Sequence, residues 1–279
     1  MDRTPLPLRE CLEIIASEIK EAAERPRREA ERMLMEHLGK DQLWLITHLD
    51  DSVECDDKLQ AWIERRTAHE PLEYIFNRVS FYSQMFYIAP GALIPRPETE
   101  LLIDHVLERV ERSGRFTLCE VGVGSGAVSV VLAQELEHTR IIGVDISEAA
   151  LGVASKNVEA FGMEARIELR KSDLLERVPE AVDVLVSNPP YVADRAELER
   201  NLDYEPDLAL FGGEKGMDVI ARLIDLVEAR KIPLFCCEMG YDQRDAVAAL
   251  VPDAYGIMFY KDLAGLDRGF VMQIKHDHV

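Results

Sequence analysis

The chain is predicted to be an α/β protein, a mostly parallel sheet with helices on both faces, preceded by a small helical bundle. Three observations predict it. From residue 116 onward short apolar runs alternate with helical segments, the order expected of crossover-linked parallel strands. A glycine-rich turn, Gly122-Val123-Gly124-Ser125-Gly126, closes the first of these runs, and Asn188-Pro189-Pro190-Tyr191 closes a later one. Ahead of residue 75 the apolar spacing is helical, with no strand signal. At 279 residues the chain is long enough for two domains.

Residues 1–75 form the first expected domain. Amphipathic spacing begins at Leu8 and again over Arg28 to Leu38, with Pro26 interrupting or starting a helix; shorter segments follow at Leu43 to Leu49 and Leu59 to Arg66. Residues 76–94 read as a hairpin or linker, with Phe81, Phe86, Tyr87 and Ile88 in short aromatic runs punctuated by Pro90 and Gly91. Residues 95–279 form the second domain. It opens on Pro95-Arg96-Pro97-Glu98-Thr99-Glu100, where Pro97 suits a helix start and Glu98 and Glu100 suit its first turn. Strands follow at Phe116 to Val121, Arg140 to Val144, Ala165 to Leu169, Val182 to Val186 and Ile232 to Cys237, with closing strands at Tyr255 to Tyr260 and Phe270 to Ile274. Helices lie between them at Ala127 to Glu135, Glu148 to Ala160 and Asp218 to Ala229.

Composition narrows the function. The net charge is -20, with more acids than bases in the first domain as well, which argues against a surface built to hold a phosphate backbone. The first ten residues are charged and contain proline, unlike a signal peptide, and no apolar run approaches membrane-span length. Five cysteines, with Cys236 and Cys237 inside an apolar strand, read as buried free thiols and carry no metal-ligand spacing; a cytoplasmic protein without a metal is expected. His276 and His278 fall in a polar tail, and no histidine stands next to either motif.

Ligands of parallel sheets bind beyond the carboxyl ends of strands, where Gly122, Gly124 and Gly126 lie with Val123 and Ser125 between them. The spacing Gly122-x-Gly124-x-x-Ala127 also matches a dinucleotide fingerprint, and Asp145 could accept from ribose hydroxyls of either cofactor. Glu120, two residues before the turn, favours S-adenosylmethionine: a carboxylate there attracts an amino-acid ammonium and gains nothing from a pyrophosphate. After the third strand, Asp173 has two readings, a hydrogen bond to an adenine amino group with Leu174 packed on the ring, or helix capping by Ser172 or Asp173 itself.

Asn188-Pro189-Pro190-Tyr191 suits methyl transfer to a planar nitrogen. An amide or aromatic NH₂ must lose planarity or a proton as it attacks, and acceptors around it favour that change. The side-chain oxygen of Asn188 and the carbonyl of Pro189 are such acceptors, the two prolines fix the backbone, and Tyr191 offers a ring to the flat substrate. A proline-rich turn ending a strand is the plain alternative. Arg96 with Glu98 and Glu100 could fix the hinge and one wall of the cofactor pocket through a guanidinium–carboxylate contact, with a plain helix-start salt bridge or direct substrate contact as the other readings.

The chain resembles the HemK-like (PrmC-type) glutamine methyltransferases that modify peptide chain release factors. The resemblance rests on Arg66 with Pro71-Leu72-Glu73-Tyr74-Ile75, on Leu93 through Glu100, Glu120 through Gly126, Val144-Asp145-Ile146-Ser147 and Ser187 through Tyr191. It continues through Tyr204-Glu205-Pro206, Gly212-Gly213, Gly216-Met217-Asp218 and Asp262 through Arg268. It implies a class I, Rossmann-like catalytic domain with a seven-stranded sheet, and a helical substrate-recognition domain. The implied activity is transfer of a methyl group from S-adenosylmethionine to the N5 amide nitrogen of the glutamine in the Gly-Gly-Gln loop of class 1 release factors. S-adenosylhomocysteine is the implied product. Cofactor contacts carried over are Gly122 to Gly126, Asp145, the Leu174 segment and Asn188; amide contacts are Asn188, Pro189, Pro190 and Tyr191. The Asn-Pro-Pro-Tyr run is shared with DNA adenine methyltransferases, so nucleic-acid adenine N6-methylation is the alternative, and the run Pro95 to Glu100 favours the release-factor family. Three positions depart from the family pattern: Glu120 stands for a frequent Asp, Asn77 for Gly, and Leu174 for an aromatic residue.

Overall fold

The computed structural model describes residues 5–196 and 199–275; His276 and His278 lie outside them, as do residues 1–4. The described chain divides into two compact units.

The first unit runs to Asn77 and includes a short segment ending at Tyr204. Its elements are β1 (Leu6–Pro7), α1 (Leu8–Glu18), α2 (Pro26–Leu38), α3 (Gln42–Thr47), β2 (Ser52–Val53), α4 (Asp57–Thr67) and α5 (Leu72–Phe76). Pro26 starts a helix, occupying the first turn where a missing N–H costs nothing. Asp41 and Asp56 cap α3 and α4 by accepting from Trp44 N at 2.8 Å and Leu59 N at 2.9 Å. Leu8, Leu12, Ile15, Met33, Leu34, Leu59 and Ile63 form the core. Arg66 is buried within this unit, donating to Glu29 Oε2 at 2.6 Å and to the Ala22 carbonyl. The five-residue α5 and the β1–β2 ladder, antiparallel and two residues long, were not expected, being too short to show a period. Asn77 ends α5 in the left-handed region (φ 55°), which asparagine tolerates better than most residues.

The second unit begins with a hairpin, β3 (Arg78–Phe81) and β4 (Gln84–Tyr87), whose register pairs Phe81 with Gln84. Its two-residue turn puts Tyr82 and Ser83 at φ 49° and 59°. Such turns usually use Asn or Gly, so no turn residue announced this one. A 3-10 turn, Pro97–Thr99, leads into α6 (Glu100–Leu107). Then come β5 (Thr117–Val121), α7 (Ala127–Glu135), β6 (Arg140–Asp145), α8 (Glu148–Ala160), β7 (Ile167–Lys171) and β8 (Val184–Ser187). After them follow α9 (Asp207–Leu210), α10 (Asp218–Arg230), β9 (Leu234–Glu238), α11 (Arg244–Ala248), β10 (Tyr255–Lys261) and β11 (Asp267–Ile274).

The sheet has seven strands in the order β10-β11-β9-β8-β5-β6-β7. β5 to β9 are mutually parallel, and β11 runs antiparallel to both β9 and β10. The central strands β8 and β9 are buried at every residue, as strands covered on both faces must be. All five cysteines are buried and free. No helix among the described residues is long and apolar enough to cross a membrane. The order places the topological switch between β5 and β8: the chain leaves β5 toward β6 and β7, then returns to build β8 on the other side. That is where a parallel sheet opens a crevice for a ligand.

Candidate active site

Both motifs border this crevice. Val121 pairs with Ser187, so Gly122 and Asn188 are the next residues out of neighbouring strands. Ser187 Oγ donates to the Val121 carbonyl at 2.8 Å and ties the two strand ends together. Beyond them opens a cavity of about 280 Å³. Its wall includes Glu120, the turn from Gly122 to Ser125, Asp145, Asp173, Leu174, Asn188, Pro189 and Pro190. Apolar side chains close the remainder, among them Phe81, Leu93, Pro95, Pro206, Leu208 and Phe211.

The glycine turn has the backbone that demands glycine: Gly122, Gly124 and Gly126 have φ of 74°, 53° and 79°. Gly126 does not line the cavity; it packs on α8, where an added methyl would meet Ala154 at 3.1 Å. Asp145 buttresses the turn, Oδ2 accepting from Gly124 N at 3.0 Å and Oδ1 from Ser147 N at 2.9 Å. Burial nonetheless raises its pKa, against the lowering effect of these amides. Glu120 is 4% exposed and accepts from the Ser129 hydroxyl. Burial pushes its pKa up to about 8, outweighing the Ser129 hydrogen bonds, with Asp145 adding like-charge repulsion. No Lys or Arg among the described residues forms a salt bridge with Glu120. A buried carboxyl on a cavity wall, without a basic partner among the described residues, is poised to ionise once a cationic ligand lies beside it.

Asp173 lines the cavity and pairs with Arg222 Nη2 at 2.9 Å. Ser172 Oγ accepts from Arg177 N at 3.0 Å, so the serine takes the turn-forming role and the aspartate the ion pair. Leu174, beside it, is held at φ 45°, uncommon for a branched side chain.

Asn188 is oriented by a side chain. Its Nδ2 donates to Thr99 Oγ1 at 3.1 Å, which leaves Oδ1 as the acceptor end. No hydrogen bond among the described residues takes the Pro189 carbonyl. Tyr191 is placed differently from the expectation: it is absent from the cavity wall, its ring packs against the sheet core, and its hydroxyl donates to Glu238 Oε1 at 3.1 Å. Arg96 does find a carboxylate, but it is Glu205 rather than Glu98 or Glu100. Glu205 also accepts from Ile94 N at 3.0 Å, fastening the segment that carries Pro95 to the one that carries Pro206. Glu100 instead accepts from Tyr82 N at 2.8 Å and secures the hairpin turn. Glu98 lies close enough to raise the pKa of both Glu238 and Arg268.

Several residues that build the site went unassigned in the sequence. Asn157 of α8 is fully buried; it accepts from Tyr87 N at 2.8 Å and donates to Tyr87 O at 2.9 Å and Ser125 O at 2.8 Å, joining hairpin to glycine turn. Gln243 donates to Tyr191 O at 3.0 Å and Gly216 O at 3.1 Å. Behind the same run, a methyl on Gly212 would fall 2.2 Å from Pro190 O, and one on Gly216 2.1 Å from Tyr191 O. Thr99 and Glu238 complete the set. Glu238 had a readable signal, an acid closing an apolar strand, much as Glu120 stands one residue before the end of β5; Asn157 and Gln243 had none.

The chain is 39% identical to the release factor glutamine methyltransferase of Koribacter versatilis, over 87% of this chain and 89% of that one. It is 36% identical to that of Moorella thermoacetica, over 89% and 91%. The chain belongs to the release factor glutamine methyltransferases. Its residues 97–203 match the methyltransferase small domain and residues 10–76 the PrmC N-terminal domain. Among solved structures, the ribosomal protein L11 methylase of Lactobacillus delbrueckii subsp. bulgaricus is 20% identical with a TM-score of 0.51, over 68% of this chain and 84% of that one, a likeness of fold. The fold is thus that of a class I methyltransferase with a helical N-terminal region, as the sequence predicts, and the chain is an S-adenosylmethionine-dependent enzyme.

Proposed function

We propose that this enzyme methylates the N5 side-chain nitrogen of the glutamine in the Gly-Gly-Gln loop of a class 1 peptide chain release factor, releasing S-adenosylhomocysteine. One observation carries the reading: Thr99 holds the nitrogen of Asn188, so that a carbonyl-type oxygen is left at a cavity wall shared with the glycine turn. The donor set fits the cofactor. Glu120 would hold the ammonium, Asp145 the ribose hydroxyls, and Gly122 to Ser125 would let the ligand approach the backbone. Asp173 and Leu174 would border the adenine.

When bound, S-adenosylmethionine supplies an electrophilic methyl carbon on a sulfonium. Asn188 Oδ1 and Pro189 O accept the two amide protons and turn the nitrogen lone pair out of conjugation. Pro189 and Pro190 hold those acceptors at low entropic cost because their φ angles are fixed. Pro95, Pro206 and Phe211 give the cavity around the acceptors an apolar border. The methylated nitrogen is acidic enough to lose its surplus proton through these acceptors to solvent, so the reading calls for no histidine.

The test is transfer of labelled methyl to a purified class 1 release factor, beside a control with the loop glutamine replaced. Label only on the intact loop supports the reading. Equal labelling of both rejects it, and label on nucleic acid alone would return the adenine alternative.

A further inference from the structure

Asparagine can present either end of its amide, since the two are almost the same size. At position 188 the wrong end would place an NH₂ against the substrate's NH₂. The residues on either side of Asn188 do not decide between the two. A buried chain of hydrogen bonds does.

Thr99 Oγ1 accepts from Asn188 Nδ2 at 3.1 Å and donates its single proton to Glu238 Oε2 at 2.7 Å. The other oxygen, Oε1, accepts from the Tyr191 hydroxyl at 3.1 Å. Thr99 is 4% exposed and Glu238 2%, so water has little room to replace either partner. An ionised carboxylate only accepts. It therefore takes the threonine proton, which leaves the threonine lone pairs for the Asn188 nitrogen.

We propose that Glu238 and Thr99 are positioning residues for methyl transfer: Thr99, which shares the cavity wall with Asn188, and Glu238 behind it set which end of the Asn188 amide faces the cavity. The inference rests on Asn188 being the substrate acceptor, as argued above.

The groups facing Glu238 decide when the device works. Burial raises its pKa to about 7; the Thr99 and Tyr191 hydroxyls and Arg268 act the other way, and Glu98 adds repulsion. Tyr260 and Cys237 also feel Glu238, and burial holds their own pKa values well up, so both stay neutral. When Glu238 takes a proton it becomes a donor toward Thr99. The threonine hydroxyl is then free to donate to Asn188 Oδ1, and the amide turns over. Activity that needs ionised Glu238 falls as the pH drops through its pKa.

The experiment measures kcat at saturating S-adenosylmethionine with a purified release factor between pH 5.5 and 8.5. Wild type is compared with Thr99→Ser, Thr99→Val and Glu238→Gln, and S-adenosylhomocysteine affinity is measured for each. Thr99→Val and Glu238→Gln are expected to lose about tenfold or more in kcat. Thr99→Ser, which keeps the hydroxyl, stays within about threefold. Product affinity stays within about threefold throughout, and the acid limb of wild type near pH 7 disappears in Glu238→Gln. Equal kcat for Thr99→Val and Thr99→Ser overturns the proposal. So does an acid limb that survives in Glu238→Gln, or a Thr99→Val defect confined to cofactor affinity. If Glu238→Gln fails to fold, the valine–serine pair still decides. A wild type that does not label the release factor defeats the functional reading itself; a wild type that does, matched by Thr99→Val, defeats only this inference.

Discussion

Binding of S-adenosylhomocysteine at pH 7 is expected to expel a proton from Glu120. The free protein holds this carboxyl with a pKa of about 8 because it is buried and has no cationic partner among the described residues. At pH 7 about nine-tenths of it is therefore protonated. An ammonium beside it favours the ionised form, so the acid should release about 0.9 proton on binding. Ionising the group at pH 7 costs about 1.4 kcal/mol, whereas a charge-assisted hydrogen bond returns about 1.5–3 kcal/mol. Glu120→Gln should then weaken binding at pH 7 by at most about tenfold. Its larger effect is on the proton count. Calorimetry in buffers of low and high ionisation enthalpy reads that count directly, and the slope should vanish in the variant. The raised pKa also has a stability sign. Its contribution is complete below pH 4.5 and is lost as pH rises through about 8. The ligand-free Glu120→Gln protein should accordingly resist unfolding better than wild type at pH 8, by about 4 kcal/mol or less. A wild type that binds without proton release, or a variant with the same release, refutes the assignment of Glu120 to the ammonium.

Asn188→Ala should reduce turnover by about a hundredfold or more while costing about 1 kcal/mol of stability, because one hydrogen bond to Thr99 is lost; near-normal turnover would remove its assigned role. Arg96→Ala should lower the urea midpoint by the equivalent of about 2 kcal/mol. It strands the Glu205 carboxylate, but Arg96 is 33% exposed and the pair is partly screened. An unchanged midpoint together with unchanged cofactor affinity would show that the clamp is idle. Gly212→Ala should damage turnover more than cofactor binding, since the new methyl meets the Pro190 carbonyl, and comparable losses in both would argue against it. Gly152→Ala, in an exposed turn of α8 with nothing within 4 Å, should raise stability by about 0.5–1 kcal/mol without touching activity; a lower melting temperature would contradict it.

The strands and helices of the second unit were legible because each long element carries its own period. Ala127–Glu135 and Glu148–Ala160 fall where the apolar spacing puts them, whereas the third strand sits two residues later than expected, at Ile167–Lys171. The glycine turn and the Asn188 run were legible for another reason: φ above zero and consecutive prolines restrict residue choice strongly enough to mark the chain.

By itself, then, the sequence determined what depends on neighbours along the chain: the alternation that builds the sheet, the backbone of the cofactor turn, and the rigid acceptor run. Only the tertiary structure decided what depends on partners far apart. It gave Arg96 to Glu205 rather than to the adjacent acids, turned Tyr191 from the cavity toward Glu238, and set Thr99 against the Asn188 amide. The reason is physical. A buried hydrogen bond is chosen by which groups packing brings together without water, and a threonine 89 residues from its asparagine leaves no local pattern to announce the pairing.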